Sequence, residues 1–291
     1  MNEPWSWKLG RQLLAIAATL LLGGFLAAML VRAAPGFDVD EHQLDSRLSP
    51  ATIASMRAEK VAQRNVFRFY ADYLGHAIHG DLGRSQTLDR PVSELIRERL
   101  PVTMKIFGMG LLLAWVLAFL LATTTAMSRS GSYEMAATGF SAALLCIPSA
   151  VVALFFVYAN APASIAITLI VFPRVYRYAR NLLARCYDMP HIITARAKGL
   201  GPVRVLVWHV LPVAGPQLFA VVGVSISIAL GAAIPVEALC GIPGIGQLAW
   251  QAALGRDLVL LVTLTLLVTV ITLTANSACE LAGDAFRTVR A

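Results

Sequence analysis

The sequence predicts an all-α, polytopic membrane protein with six transmembrane helices, on three observations. Hydrophobic residues make up 57% of the 291 and charged residues only 14%, with a mean hydropathy of +0.68, too apolar for a soluble domain of this length. Uncharged runs long enough to cross a bilayer as helices recur along the chain. Outside the mixed-charge residues 35–100, the basic residues gather at the ends of those runs and in one short loop between them, as at a cytoplasmic membrane face. That distribution accounts for the net charge of +7 without nucleic acid as a partner.

In chain order, Gln12 to Val31 is uncharged and preceded by Lys8 and Arg11. At about 20 residues it has the length of a span. Ala33 and Ala34 also fit a cleavage site, but the run exceeds the core of a cleavable signal, so residues 1–34 are expected to keep a first helix with its N-terminus inside. Residues 35–100 change to mixed acids and bases and are expected to form an extracytoplasmic helical segment. Ser49 and Pro50 suit a helix start, with Ile53 and Met56 on one face. A second amphipathic stretch carries Val66, Phe67, Tyr70, Tyr73 and Leu74 at helical spacing. Asp72, His76 and His79 share a face of that helix, yet nothing supplies a fourth ligand or a supporting shell, so a solvated face is expected rather than a metal site. Gly80, Asp81 and Gly83 then mark a tight outer turn.

The second span is expected at Ile106 to Met127, entered over Lys105. Met135 to Pro173 is uncharged and about twice what one helix needs, so it divides at Tyr158 to Pro162 into a third and a fourth span. The fourth must continue past Pro173, which places Arg174, Arg177 and Arg180 toward its cytoplasmic end. Together with Arg185, Arg196, Lys198 and Arg204, these face a single acid, Asp188, before Pro212. Such a basic excess in a short loop puts residues 181–212 in the cytoplasm. Val210 to Val236 and Leu258 to Cys279 complete the spans, and residues 283–291 return inside. Residues 237–257 are then outside, with Gly241 to Gly246 as a tight turn and Gln247 to Leu254 as either a short helix dipping into the membrane face or a plain hairpin loop.

Catalytic patterns are not found. Cys146, Cys186, Cys240 and Cys279 are scattered without metal spacing, there is no phosphate loop or His-Glu-x-x-His, and the spans hold no His or Asp pair. A membrane-embedded hydrolase is therefore disfavoured, and neither catalytic nor metal-ligating residues are assigned.

At Thr194-Ala195-Arg196-Ala197-Lys198-Gly199-Leu200, with Leu211 and Pro212 downstream, the chain resembles permease subunits of binding-protein-dependent ABC importers, in the dipeptide, oligopeptide and nickel branch. The family's loop reads Glu-Ala-Ala, three residues, Gly, nine residues, Ile-x-Leu-Pro. Ala195, Gly199, Leu211 and Pro212 fall in that register, while Ile193, Thr194 and His209 depart from it. Leu48-Ser49-Pro50, Gly80 to Ser85 with Arg90-Pro91-Val92, Glu237 with Ile242 to Gly246, and Arg256-Asp257 are similar to further landmarks in the same order. The outer loop between spans three and four, Asn160 to Pro162, is shorter than in most members.

The resemblance implies the type I ABC importer permease fold, residues 101–282 holding helices two to six, in a prokaryotic inner membrane. It implies alternating access with a second homologous permease, two ATPase subunits carrying ATP and Mg2+, and an extracytoplasmic substrate-binding protein, with no cofactor in this chain. Thr194 to Leu200, Leu211 and Pro212 would be the ATPase-docking element. There Ala195 and Ala197 would keep the surface thin, Arg196 and Lys198 would pair with acids of the partner, and Pro212 would set a kink. Glu237, Pro243, Gly244 and Gly246 would line an outer gate or substrate path. Peptide is the expected cargo, with nickel or another small solute as the alternative.

Overall fold

The computed structural model describes residues 5–33, 66–128 and 130–288. The expected helix start at Ser49-Pro50, with Ile53 and Met56, lies outside the described residues. Among those described, the structure is helical, apart from an isolated antiparallel bridge between Arg84 and Pro91. Two compact units divide the chain: residues 1–99 with 248–270, and residues 100–247 with 271–291.

In the first unit, α1 (Trp5–Ala33) packs with α2 (Val66–Ile78) and with the start of α11 (Leu258–Thr288). The helical spacing read in the sequence places Tyr70 and Tyr73 on one face of α2, and both are buried. Tyr70 donates its hydroxyl to Leu20 O at 3.1 Å, and Tyr73 shares a 2.8 Å hydrogen bond with Thr263. Gly24 leaves room for this, since a Cβ there would come within 2.8 Å of Leu266 Cδ2 and collide with the Tyr70 ring. α2 is thus less detached from the spans than its mixed composition suggests, because its aromatic face is covered by α1 and α11.

The second unit is built around α6 (Ala163–Tyr187). Every fourth residue of it, Ala163, Ile167, Val171, Val175, Ala179, Leu183 and Tyr187, is buried, as one stripe of a 3.6-residue helix requires. On α3 (Val92–Ser128), Gly110, Ala114, Ala118 and Ala122 repeat at the same interval, and the three alanines are buried in the same core. Small residues let membrane helices approach closely. A Cβ at Gly110 would meet Ser164 O at 2.7 Å. α4 (Gly131–Leu145) and α5 (Ser149–Tyr158) pack on this hub, as does α9 (Leu211–Leu239).

Among the described residues, three helical stretches are long and apolar enough to cross a membrane: 92–128, 202–239 and 258–286. The pair α4 and α5 forms a fourth if its 89° bend lies within one span. The sequence predicts a break only at Tyr158 to Pro162, so this earlier bend is an addition to it. Proline lacks an N–H and pushes the preceding residue out of the helical region, so Ile147-Pro148 interrupts the run between Cys146 and Ser149. The other two expected spans are α1, apolar only from Leu14 to Leu30, and α6, whose second half carries arginines. Arg174 and Arg177 are exposed, and Arg180 pairs with Glu134 of α4, which answers the electrostatic cost of an arginine near the apolar region. Pro173 sits inside α6 without ending it, and Ser141 donates to Pro173 O at 3.1 Å.

Candidate functional site

Three segments hold the residues singled out from the sequence, and each begins with a helix closed by a left-handed glycine. Asp188 ends α6, and α7 (Pro190–Ala197) starts with proline at its first turn, where the missing N–H costs nothing. Gly199 has φ +76°. Its N–H bonds Arg196 O at 2.9 Å, and the N–H of Leu200 bonds Ala195 O at 3.4 Å, the two bonds of a Schellman turn. Gly201 and Pro202 then start α8 (Pro202–Val205). Thr194 donates to Pro190 O at 2.9 Å, inside its own helix.

The faces of this module differ from the sequence expectation at two positions. Ala195 is buried with Ile192 in the core of its own unit, so it seats α7 on the protein and cannot thin an outer surface. The Arg196 guanidinium lies 4.6 Å from the centre of the Tyr187 ring, a cation–π contact that anchors α7 to the end of α6. Burial pushes the Tyr187 phenol up, with Arg196 opposing. Ala197, Lys198 and Gly199 remain exposed and Leu200 half-buried. The outward surface also includes Ile193, Val203 at 69% exposure and Trp208 at 68%. Leu200, Arg204, Trp208 and His209 line a shallow groove, and the buried His209 Nδ1 has no hydrogen-bond partner.

Leu211 and Pro212, both half-buried, begin α9 directly after a π turn over Leu206–Val210. The N–H of Leu211 reaches back to Leu206 O, five residues away. Pro212 has no N–H to offer Trp208 O, and the wider turn is the local result of that gap. Pro212 was expected to kink the span; the distortion lies in the turn before it.

At the other end of α9, Gly241 has φ +65° and Ile242 N bonds Glu237 O at 3.0 Å. The chain turns through the exposed Pro243 into α10 (Ile245–Leu254), so the short-helix alternative holds over the hairpin loop. Glu237 was expected to line a path; it is 0% exposed, because its carboxylate is folded back onto the start of α10. Its Oε2 accepts from Gly246 N at 2.7 Å, and Gln247 N also donates to the carboxylate. Thr103 of α3 accepts from Ile245 N at 2.8 Å. Gly244 and Gly246 are buried because there is no space for more. A Cβ on Gly244 would overlap the Glu237 carboxylate, and one on Gly246 would meet Ala233 O at 2.7 Å.

The outer turn repeats the device, with Gly80 at φ +84° and Gly83 at +75°. Asp81 Oδ1 accepts from Gly83 N at 2.9 Å. The loop after it is fastened by a residue 172 positions away: Ser85 donates to Asp257 Oδ2 at 2.6 Å. Thr87 N reaches the same oxygen at 3.1 Å, and Leu260 N bonds Asp257 Oδ1 at 3.0 Å. Asp257, 1% exposed, therefore caps α11 and holds the Ser85 loop at once. Thr103 drew no attention in the sequence, and Ser85 and Asp257 stood there only as family landmarks. Only the pairing of Gly80–Ser85 with Arg256-Asp257 as landmarks could have suggested their contact. His76 and His79 each turn Nδ1 to a carbonyl of their own helix, Asp72 O and Gly75 O, and no group of His, Cys, Asp and Glu suited to a metal occurs among the described residues.

Residues 99–287 match the family described as binding-protein-dependent transport system inner membrane component. The chain is 28% identical over 279 residues to the oligopeptide transport system permease protein OppB of Salmonella typhimurium (strain LT2), covering 89% of this chain and 90% of that protein. It is 27% identical over 279 residues to OppB of Escherichia coli (strain K12), with the same coverage. Among solved structures, a chain from inward-facing conformations of the MetNI methionine ABC transporter aligns with a TM-score of 0.58 at 18% identity, covering 68% of this chain and 98% of that one.

Proposed function

This chain belongs to the binding-protein-dependent transport system inner membrane component family, a multi-pass permease subunit of an ABC importer, and from that premise we propose that it passes dipeptides or oligopeptides into the cytoplasm. Its work is transport; the ATPase is a separate subunit. The observation that carries the cargo is similarity to OppB over 89% of the chain, which takes in the outer turn and the gate segment as well as the family-matched region.

In this reading, a second homologous permease faces this one, two ATPase subunits with ATP and Mg2+ sit on the cytoplasmic side, and a binding protein delivers substrate from outside. Both termini are cytoplasmic. The α7–Gly199–α8 module is the docking element. Ile193, Val203 and Trp208 supply apolar anchors, while Lys198 and Arg204 are the exposed cations that meet acids of the ATPase. Closure of the ATPase pair on ATP moves this module and shifts the helices between inward-open and outward-open packings. The α10 segment, with Pro243 at its turn, forms the outer gate.

Uptake by the full importer, reconstituted with its binding protein, tests the cargo. ATP-dependent accumulation of a labelled tripeptide, unaffected by excess nickel, is expected. Accumulation of nickel without peptide would replace peptide by the metal on the same scaffold.

A further inference from the structure

α9 is one continuous helix of 29 residues, Leu211–Leu239, roughly 43 Å long at helical rise. One end follows the π turn and the α7–α8 module. The other ends in Glu237, whose buried carboxylate holds Gly246 N at 2.7 Å. The first turn of α10 is thus shared between two helices. Glu237 of α9 takes the N–H groups of Gly246 and Gln247, and Thr103 of α3 takes that of Ile245. The first N–H groups of a helix have no partner inside it, and here they are used as attachment points. The fit is tight enough to transmit movement. Gly244 carries no Cβ because the carboxylate fills that place, and Gly246 rests against Ala233 and Ile234 of α9. The Thr103 hydroxyl, while accepting from Ile245 N, donates its own proton to the Glu237 carboxylate.

We infer that Glu237 and Thr103 are positioning residues of the importer, Glu237 making the first turn of α10 travel with α9 and Thr103 holding that turn to α3. Displacement of α9 at the coupling end is then delivered to α10 through Glu237, while Thr103 resists it. This rests on the reading of α10 as the outer gate.

The test uses the assembled importer in membranes, with the native cysteines of this chain replaced by alanine and a reporter introduced by Ala252→Cys, a position 1% exposed on α10. The rate of modification by a membrane-impermeant thiol reagent is read, together with peptide taken up per ATP hydrolysed. Glu237→Ala and Thr103→Val should each accelerate modification about tenfold, the factor that corresponds to losing one hydrogen bond to a charged group or leaving one donor unmatched. Glu237→Gln keeps an acceptor for Gly246 N and should stay nearer the parent rate. If Glu237→Ala does not assemble, Thr103→Val carries the test. Parent rates in every assembled variant overturn the inference. Faster modification with unchanged uptake per ATP keeps the positioning role and removes the gate from α10.

Discussion

Single residues here act mainly through where they forbid a side chain or anchor a turn. At Gly244 an added methyl would enter the space of the Glu237 carboxylate, and overpacking of this kind costs about 1–3 kcal/mol. Gly244→Ala should therefore lower the melting temperature of the purified complex; an unchanged midpoint would mean that the turn at 241–246 relaxes without loss. Asp257 serves Ser85, Thr87 and the first turn of α11 together. Asp257→Ala removes a cap and strands a buried hydroxyl, at about 2–4 kcal/mol, whereas Asp257→Asn should retain most of the stability. Limited proteolysis measures this: faster cleavage between Gly83 and Pro91 in the alanine variant is expected, and equal cleavage in parent and variant would contradict it. By contrast, Arg90, with Glu94 and Glu98 around it, is only half-buried and its ion pairs are open to solvent, so its replacement should leave the fold unaffected.

At the scale of elements, the π turn before α9 is the feature most directly traced to one residue. Pro212→Ala restores an N–H for Trp208 O, which favours a continuous α-helix from Pro202 into α9. That change rotates the α7–α8 module relative to α9. The ATPases should still co-purify while peptide-stimulated ATP hydrolysis falls several-fold; unchanged stimulation would show that the turn has no part in coupling. Element existence was legible wherever a run was long and uncharged, as in α3, α9 and α11, because burial in lipid leaves no other signal to weigh against it. Pro190 and Pro202 sit in the first turns of α7 and α8, a start signal present in the sequence that the basic composition of the loop overshadowed. The 89° bend at Ile147-Pro148 was legible in principle, but the neighbouring break at Tyr158 to Pro162 already satisfied the length constraint. What the sequence could not supply were pairings across distance. Glu134 with Arg180, Ser85 with Asp257, and Thr103 with Ile245 leave no periodic trace, since each depends on how helices far apart in sequence meet. The same applies to orientation within a motif. Ala195 matched the family register, yet which of its faces turned inward depended on the packing of α7 against α6.

Across the whole molecule, the chain is a transport subunit whose ATPase is separate, and in the proposed reading transmission is its main task. Among the described helices, the α7–α8 module proposed for docking lies at one end of α9 and the α10 helix proposed for the gate at the other. The energy comes from separate ATPase subunits, and in the proposed reading it enters this chain through α7, Gly199 and α8. The most direct test is Gly199→Val in the full complex. A β-branched residue at φ +76° costs at least about 1–2 kcal/mol and opens the Schellman turn that sets the angle between α7 and α8. Co-purification of the ATPase subunits and stimulation of ATP hydrolysis by peptide-loaded binding protein are the two quantities to measure. Stimulation should be lost, with co-purification reduced or abolished. Retention of both at parental levels would contradict coupling through this turn.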